Sequence, residues 1–162
     1  MELKDKIALV TGGGQGIGQV IGDNLAKSGA HVIFGDINLE NAKKSAESVL
    51  ANGGNASATL INVADAENVK VAFDSIVKEF KPLDILINNA GITKDGLFVR
   101  MKEDDWDRVL AVNLKGSFLC GQQAAKHMMK QRQGAIVNIA SIVGVMGNAG
   151  QANYSASKAG LI

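Results

Sequence analysis

The chain has 162 residues, 46% of them hydrophobic, which is enough apolar material for one domain with a sizeable core and too much for a disordered chain. Lys plus Arg is 17 against 16 for Asp plus Glu, which excludes a general nucleic-acid or membrane-surface binder and leaves any charged partner to a local patch. The single cysteine, Cys120, rules out an internal disulfide and suits a reducing, cytoplasmic setting; no signal-type apolar run follows the charged start, and no stretch reaches the roughly 20 apolar residues of a membrane span.

In chain order, Ile7–Val10 reads as a strand running into a glycine cluster, and Ile17–Ser28 as a helix closed by Gly29. His31–Phe34 is a second strand, ending at Asp36, and Leu39–Leu50 a helix stopped by Asn52–Asn55. Ser57–Ile61 reads as a third strand, Glu67–Phe80 as a third helix and Asp84–Ile87 as a fourth strand. From Asp104 to about Gln131 runs one long helix, with acids in its first turn and Lys126, His127, Lys130 and Arg132 near its last, as the helix dipole favours. Ala135–Ile139 is a fifth strand, after which a glycine-rich loop leads into the helix carrying Tyr154 and Lys158. Uniformly apolar strands with helices between them imply an α/β fold, a Rossmann-type doubly wound parallel sheet covered on both faces. With no repeat, low-complexity tract or linker, residues 1–162 are expected to form one domain. The last helix opens at Ala152 but shows no stop signal before Ile162, so the chain is expected to be cut short at its C-terminus, without its final strands.

The stretch Thr11–Gly18 lies between the first strand and the first helix. Gly12, Gly16 and Gly18, with Gln15 and Ile17 between them, allow a tight turn and a close backbone approach to a pyrophosphate at a helix N-terminus. Asp36, at the tip of the second strand, can accept hydrogen bonds from adenosine ribose hydroxyls and would repel a 2′-phosphate; the bland alternative is a cap for the following helix. No Arg or Lys lies in the glycine loop or in the three positions after Asp36, so NAD(H) is favoured over NADP(H). Asn62–Val63 and Asn88–Gly91 end strands on the same carboxyl edge, where ligands bind in open α/β sheets. No metal-ligating set is read from the chain.

Tyr154 and Lys158 stand at i and i+4, so on a helix they share a face. A nearby cation favours the phenolate and draws a tyrosine pKa down from about 10, which makes the residue usable as a general acid or base. Ser141 ends the fifth strand and reaches the same edge, where its hydroxyl could donate to a carbonyl oxygen becoming an alkoxide. Asn113 sits inside the long helix, where it costs propensity and needs a partner if buried.

Taken together, Gly12/Gly16/Gly18, Asn88 to Gly91, Asn113, Ser141 and Tyr154 with Lys158 resemble the short-chain dehydrogenase/reductase family over essentially the whole chain. The resemblance implies that Tyr154 protonates a substrate carbonyl oxygen while hydride arrives from nicotinamide. It implies that Lys158 lowers the Tyr154 pKa and binds the nicotinamide ribose, that Ser141 orients the carbonyl, and that Asn113 holds a water relaying protons to Lys158. Asn62 and Val63 would lie by the adenine, and Asn89, Ala90 and Gly91 would line the cofactor. Within the family, residues 91–101 and 142–154 look like bacterial 3-oxoacyl-[acyl-carrier-protein] reductases, in which the position of Arg132 faces the acidic carrier protein. This implies reduction of a carrier-bound or CoA-bound 3-oxoacyl thioester by a homotetramer, while Asp36 points to NADH and the balanced charge to no nucleic-acid or membrane partner. NADP(H) stays the alternative cofactor, since most such reductases use NADPH. The alternative functions are an acetoacetyl-CoA reductase, an enzyme of small ketones, sugars or polyols, and a non-catalytic dinucleotide-binding regulator.

Overall fold

The computed structural model describes residues 2–80 and 83–162. Its strands are β1 (Ile7–Thr11), β2 (His31–Asp36), β3 (Asn55–Leu60), β4 (Ile85–Asn88) and β5 (Ala135–Asn138). They form one parallel sheet in the order β3-β2-β1-β4-β5. The connecting helices are α1 (Gly16–Lys27), α2 (Leu39–Ala51), α3 (Ala66–Phe80), α4 (Glu103–Leu110), α5 (Gly116–Gln131), α6 (Val143–Met146) and α7 (Ala152–Ala159). This is the doubly wound Rossmann-type arrangement.

Strand β1 shows why both faces are covered. All five of its residues are buried, and alternate side chains leave a strand on opposite faces. Ile7 and Leu9 enter a core with Val69, Phe73 and Ile76 of α3 and Cys120 and Ala124 of α5. Ala8 and Val10 enter the other, with Ala26 of α1 and Ala42, Ala46 and Val49 of α2. Phe34 and Phe73 are the bulky anchors of the two cores, each fully buried. A side chain of that size contributes roughly 1.5–3 kcal/mol when removed from water.

Element ends shift by a residue or a few from the sequence reading, and larger features stand out. Strand β3 begins at Asn55 rather than Ser57, because pairing with β2 starts at His31↔Asn55, directly after the Gly53–Gly54 turn. The long helix is interrupted by a π-helical turn, Ala111–Lys115, between α4 and α5. The glycine-rich loop before Tyr154 contains the single helical turn α6. Strand β5 is exposed along its length, with Ile136 at 41% and Val137 at 45%, since it is the edge strand and pairs only with β4. Among the described residues no helix is long and apolar enough to cross a membrane.

At the amino edge of the sheet, Asp84 accepts from Lys6 Nζ and from the Ile7 N–H, both at 3.0 Å, which ties the start of β1 to that of β4. His31 stands on the same edge, its Nε2 3.0 Å from Ser57 Oγ and its ring centroid 4.7 Å from that of Phe80. Burial lowers the His31 pKa, and the carboxylate of Glu79 opposes this. The folded chain therefore resists protonation more than the unfolded one. Stability should be unaffected above the unfolded histidine value of about 6.5 and decline as the pH falls through it, until the folded histidine is itself protonated. Urea midpoints at about pH 7.5 and about pH 5.5 should fall further apart in the wild type than in His31→Gln. Equal loss in both proteins would remove His31 as the cause.

Candidate active site

The strand order reverses between β1 and β4, and at such a switch point a crevice opens outside the carboxyl ends of the strands. Here the two ends are stitched together. Thr11 Oγ1 donates to the Ile87 carbonyl at 3.3 Å and accepts from the N–H groups of Asn89 and Ala90, both at 3.1 Å. The Asn89 amide returns to the carbonyls of Thr11 and Gly12 at 2.9 and 3.1 Å. Asn88 holds the next pair, donating to the Ser117 carbonyl at 3.2 Å and to Asn138 Oδ1 at 2.9 Å.

A cleft of about 630 Å³ occupies this edge. On one side lie Gly12, Gln15, Gly16 and Ile17 from the loop that opens α1, with Asp36, Asn62 and Val63 following β2 and β3. Gly16 has φ +56 and open space where a Cβ would stand, so its backbone faces the cleft unshielded. Gly18 is the opposite case: a Cβ there would lie 2.3 Å from the Gly12 carbonyl oxygen and 2.5 Å from Asn89 Nδ2, so it packs α1 against the stitch and does not line the cleft. Asp36 is held open-faced, with Oδ2 accepting from the Gly14 N–H at 3.0 Å and Oδ1 from the Asn38 N–H at 2.9 Å. The cap of α2 is Asn38, which accepts from the Asn41 N–H, so Asp36 is not spent on capping. These residues fit a dinucleotide: a bare backbone at a helix start, and a carboxylate with lone pairs to spare at the strand tip.

Asn89, Ala90 and Gly91 lead to the other half, which Ser141, Tyr154 and Lys158 line together. Lys158 is 4% exposed; its Nζ donates to the Ile139 carbonyl at 2.6 Å and stands 5.7 Å from the centroid of the Tyr154 ring. Burial pushes the Lys158 pKa below its ordinary value. Ser141 Oγ accepts from the Val143 N–H at 3.3 Å, which leaves the hydroxyl hydrogen free to point elsewhere. A phenol, an ammonium and a hydroxyl on one wall can donate a proton to, and hold charge at, an oxygen placed among them.

Asn113 is not part of the wall. Fully buried in the π turn, it accepts from the Ile92 N–H at 2.8 Å and donates to the Ile92 carbonyl and to Ser157 Oγ, both at 3.0 Å. Its side chain thus meets the need for partners, behind the cleft rather than in it. Arg132 is also elsewhere: it closes α5 with φ 55, exposed, at the amino edge of the sheet where Gln131 donates to the Leu83 carbonyl.

Ile37, Ile61, Ile92, Thr93, Arg108, Val112, Ile139 and Ala140 complete the lining and were missed from sequence. Ile37, Ile61, Ile139 and Ala140 directly follow strands, a signal that could have found them. Arg108 and Val112 carry none, because which face of their helix looks inward depends on packing. A second cleft, of about 570 Å³, lies at the ends of α1 and α2 and holds none of the residues named from sequence.

Residues 6–162 match the family described as short chain dehydrogenase. The chain is 46% identical over 162 residues to the 3-oxoacyl-[acyl-carrier-protein] reductase FabG of Thermotoga maritima, covering 100% of this chain and 66% of that protein. The reductase of the same name from Staphylococcus aureus is 49% identical over 161 residues, covering 97% and 64%. That from Salmonella typhimurium is 46% identical over 162 residues, covering 100% and 65%. Among solved structures, the crystal structure of gox2181 matches with a TM-score of 0.96 at 35% identity, over 98% of this chain and 63% of that one. The chain spans about two thirds of the length of the curated relatives it matches.

The buried amide of Asn113 invites a direct test. Asn113→Leu keeps the branched shape and the number of heavy atoms but strands the N–H and C=O of Ile92, and should lower stability by roughly 3 kcal/mol in urea unfolding. A loss under about 1 kcal/mol would mean that those groups find water instead.

Proposed function

The chain belongs to the short chain dehydrogenase family, and on that premise we propose that it reduces a 3-oxoacyl thioester to the 3-hydroxyacyl thioester with NAD(H), in the cytoplasm. The observation that carries this reading is the convergence of Ser141, Tyr154 and Lys158 on the cleft that the glycine loop and Asp36 also line. Bound there, a reduced nicotinamide supplies hydride to a carbonyl carbon. The rest falls to the chain's own groups. Ser141 donates a hydrogen bond that orients the carbonyl oxygen and stabilises the negative charge gathering on it. Tyr154 O–H transfers its proton to that oxygen, so the C=O π bond ends as a C–O–H group and the tyrosine as a phenolate. The ammonium of Lys158, fixed by the Ile139 carbonyl, holds that phenolate's charge until solvent returns the proton. Asn113, through its bond to Ser157, anchors the helix that carries both groups.

Asp36 supports NAD(H), because its carboxylate suits two ribose hydroxyls and repels a 2′-phosphate. The thioester substrate is supported by the names of the relatives, 3-oxoacyl-[acyl-carrier-protein] reductases. Carrier docking at Arg132 is also proposed. A homotetramer, suggested by the family resemblance, belongs to the same proposal.

Two measurements decide the matter. Tyr154→Phe should lower kcat on an acetoacetyl thioester by about a thousandfold, with NADH still bound as read by its fluorescence. Turnover near the wild-type rate would remove Tyr154 as the acid. The wild type should show the larger kcat/KM with NADH than with NADPH, and the reverse order would overturn the reading of Asp36.

A further inference from the structure

Helix α7 carries two pairs of residues at i and i+4, turned from each other by one residue. Tyr154 and Lys158 face the cleft, whereas Asn153 and Ser157 are both fully buried and do not line it. Ser157 is held by Asn113. Asn153 makes the other attachment. Its Oδ1 accepts from the N–H of Tyr154 at 2.8 Å, one of the groups that a helix start leaves without an internal partner. Its Nδ2 donates to the carbonyls of Lys94 at 3.0 Å and Asp105 at 3.3 Å. A single amide therefore grips the first turn of α7, the segment after β4, and α4. Beside it the Gly96 N–H donates to the Gly150 carbonyl at 2.8 Å, and Gln151 Nε2 to Asp95 Oδ2 at 3.0 Å.

Stability alone is a poor reason for such an arrangement. A buried hydrogen-bonded amide contributes little more than a well-packed apolar side chain, whereas its bonds fix direction. Ser157 and Asn113 hold α7 one turn further on, with Ser157 Oγ donating to the Tyr154 carbonyl at 2.7 Å, whereas Asn153 ties the first turn directly to Lys94 and Asp105. We infer that Asn153 is a positioning residue for Tyr154: it sets the rotation and height of the first turn of α7 against Lys94 and Asp105, and so how far the phenol reaches into the cleft. Its catalytic meaning rests on the proposed function, but its effect on Tyr154 does not.

Tyr154 is the only tyrosine in the chain, so ring-labelled tyrosine reports on it alone. In Asn153→Ala the ring resonances of Tyr154 should shift or broaden, with the melting curve still cooperative. The kcat on an acetoacetyl thioester should fall by about ten- to a hundredfold, while the NADH Kd stays within about twofold. Should the alanine variant fail to fold, Asn153→Ser carries the same comparison, since its hydroxyl can still accept from the Tyr154 N–H but is too short for the two donations. Ring resonances in a folded variant that coincide with those of the wild type would overturn the inference. A wild type that turns over no 3-oxoacyl thioester, with the ring resonances nonetheless displaced in the variant, would end the proposed function and leave Asn153 in its role.

Discussion

The stitch between Thr11 and Asn89 is the contact on which the rest of the molecule depends. At the switch point the crevice lies outside the carboxyl ends of β1 and β4, and the stitch joins those ends beyond their last ladder pair, Val10↔Ile87. One hydroxyl and one amide satisfy the backbone groups of both turns, so the two halves share a single rigid rim. The glycine loop is shaped by this rim from below, because Asn89 holds the carbonyls of Thr11 and Gly12 while Gly18 lets α1 close against them. Gly91 and Ile92 leave the same rim in the other direction and deliver the chain to Asn113. The half of the cleft that Gly16 and Asp36 line and the half that Tyr154 and Lys158 line are thus two extensions of one hydrogen-bonded knot.

Away from the knot, polar side chains do the work that apolar packing does in the cores. Asn113, Asn153 and Ser157 are buried polar side chains behind α7; each bonds to backbone, and Asn113 and Ser157 also bond to one another. Such a set adds little net stability but admits few alternative arrangements, since any shift strands a buried group. The widened turn at Ala111–Lys115 belongs to the same logic: it is where the long helix bends its register to present Asn113 to Ile92 and Ser157 at once.

Much of this was legible in the sequence, and for identifiable reasons. Strands β1, β2 and β4 are short apolar runs with glycine or asparagine after them, so hydrophobic pattern and turn chemistry agreed. The glycine loop and the Tyr154/Lys158 pair were visible because their spacing is local, within one turn or one loop. What stayed hidden is what depends on distant parts of the chain. Asn113 stood out as a polar residue lacking an obvious partner, but the partner lies 21 residues away at Ile92 and another 44 away at Ser157, and no periodicity encodes either. Asn153 did not stand out at all, because an asparagine near a helix start is ordinary. Arg132 read well as the basic end of a helix, whereas only the assembled sheet puts it on the edge opposite the cleft.

The bond from the Gly14 N–H to Asp36 reaches beyond the ribose end of the cleft. A Cβ on Gly14 would lie 2.9 Å from Asp36 Oδ2, so loop and carboxylate occupy one another's space. The residue at position 36 is therefore also a tether for the glycine loop. Anyone redesigning this chain for a phosphorylated ribose by replacing Asp36 alone would slacken that loop in the same stroke. A switch of preference would have to be made as a paired change, with a new acceptor for the Gly14 N–H supplied alongside the new recognition group. Under the proposed function, a preference for one dinucleotide would rest on the shape of the turn as much as on the charge of the acid.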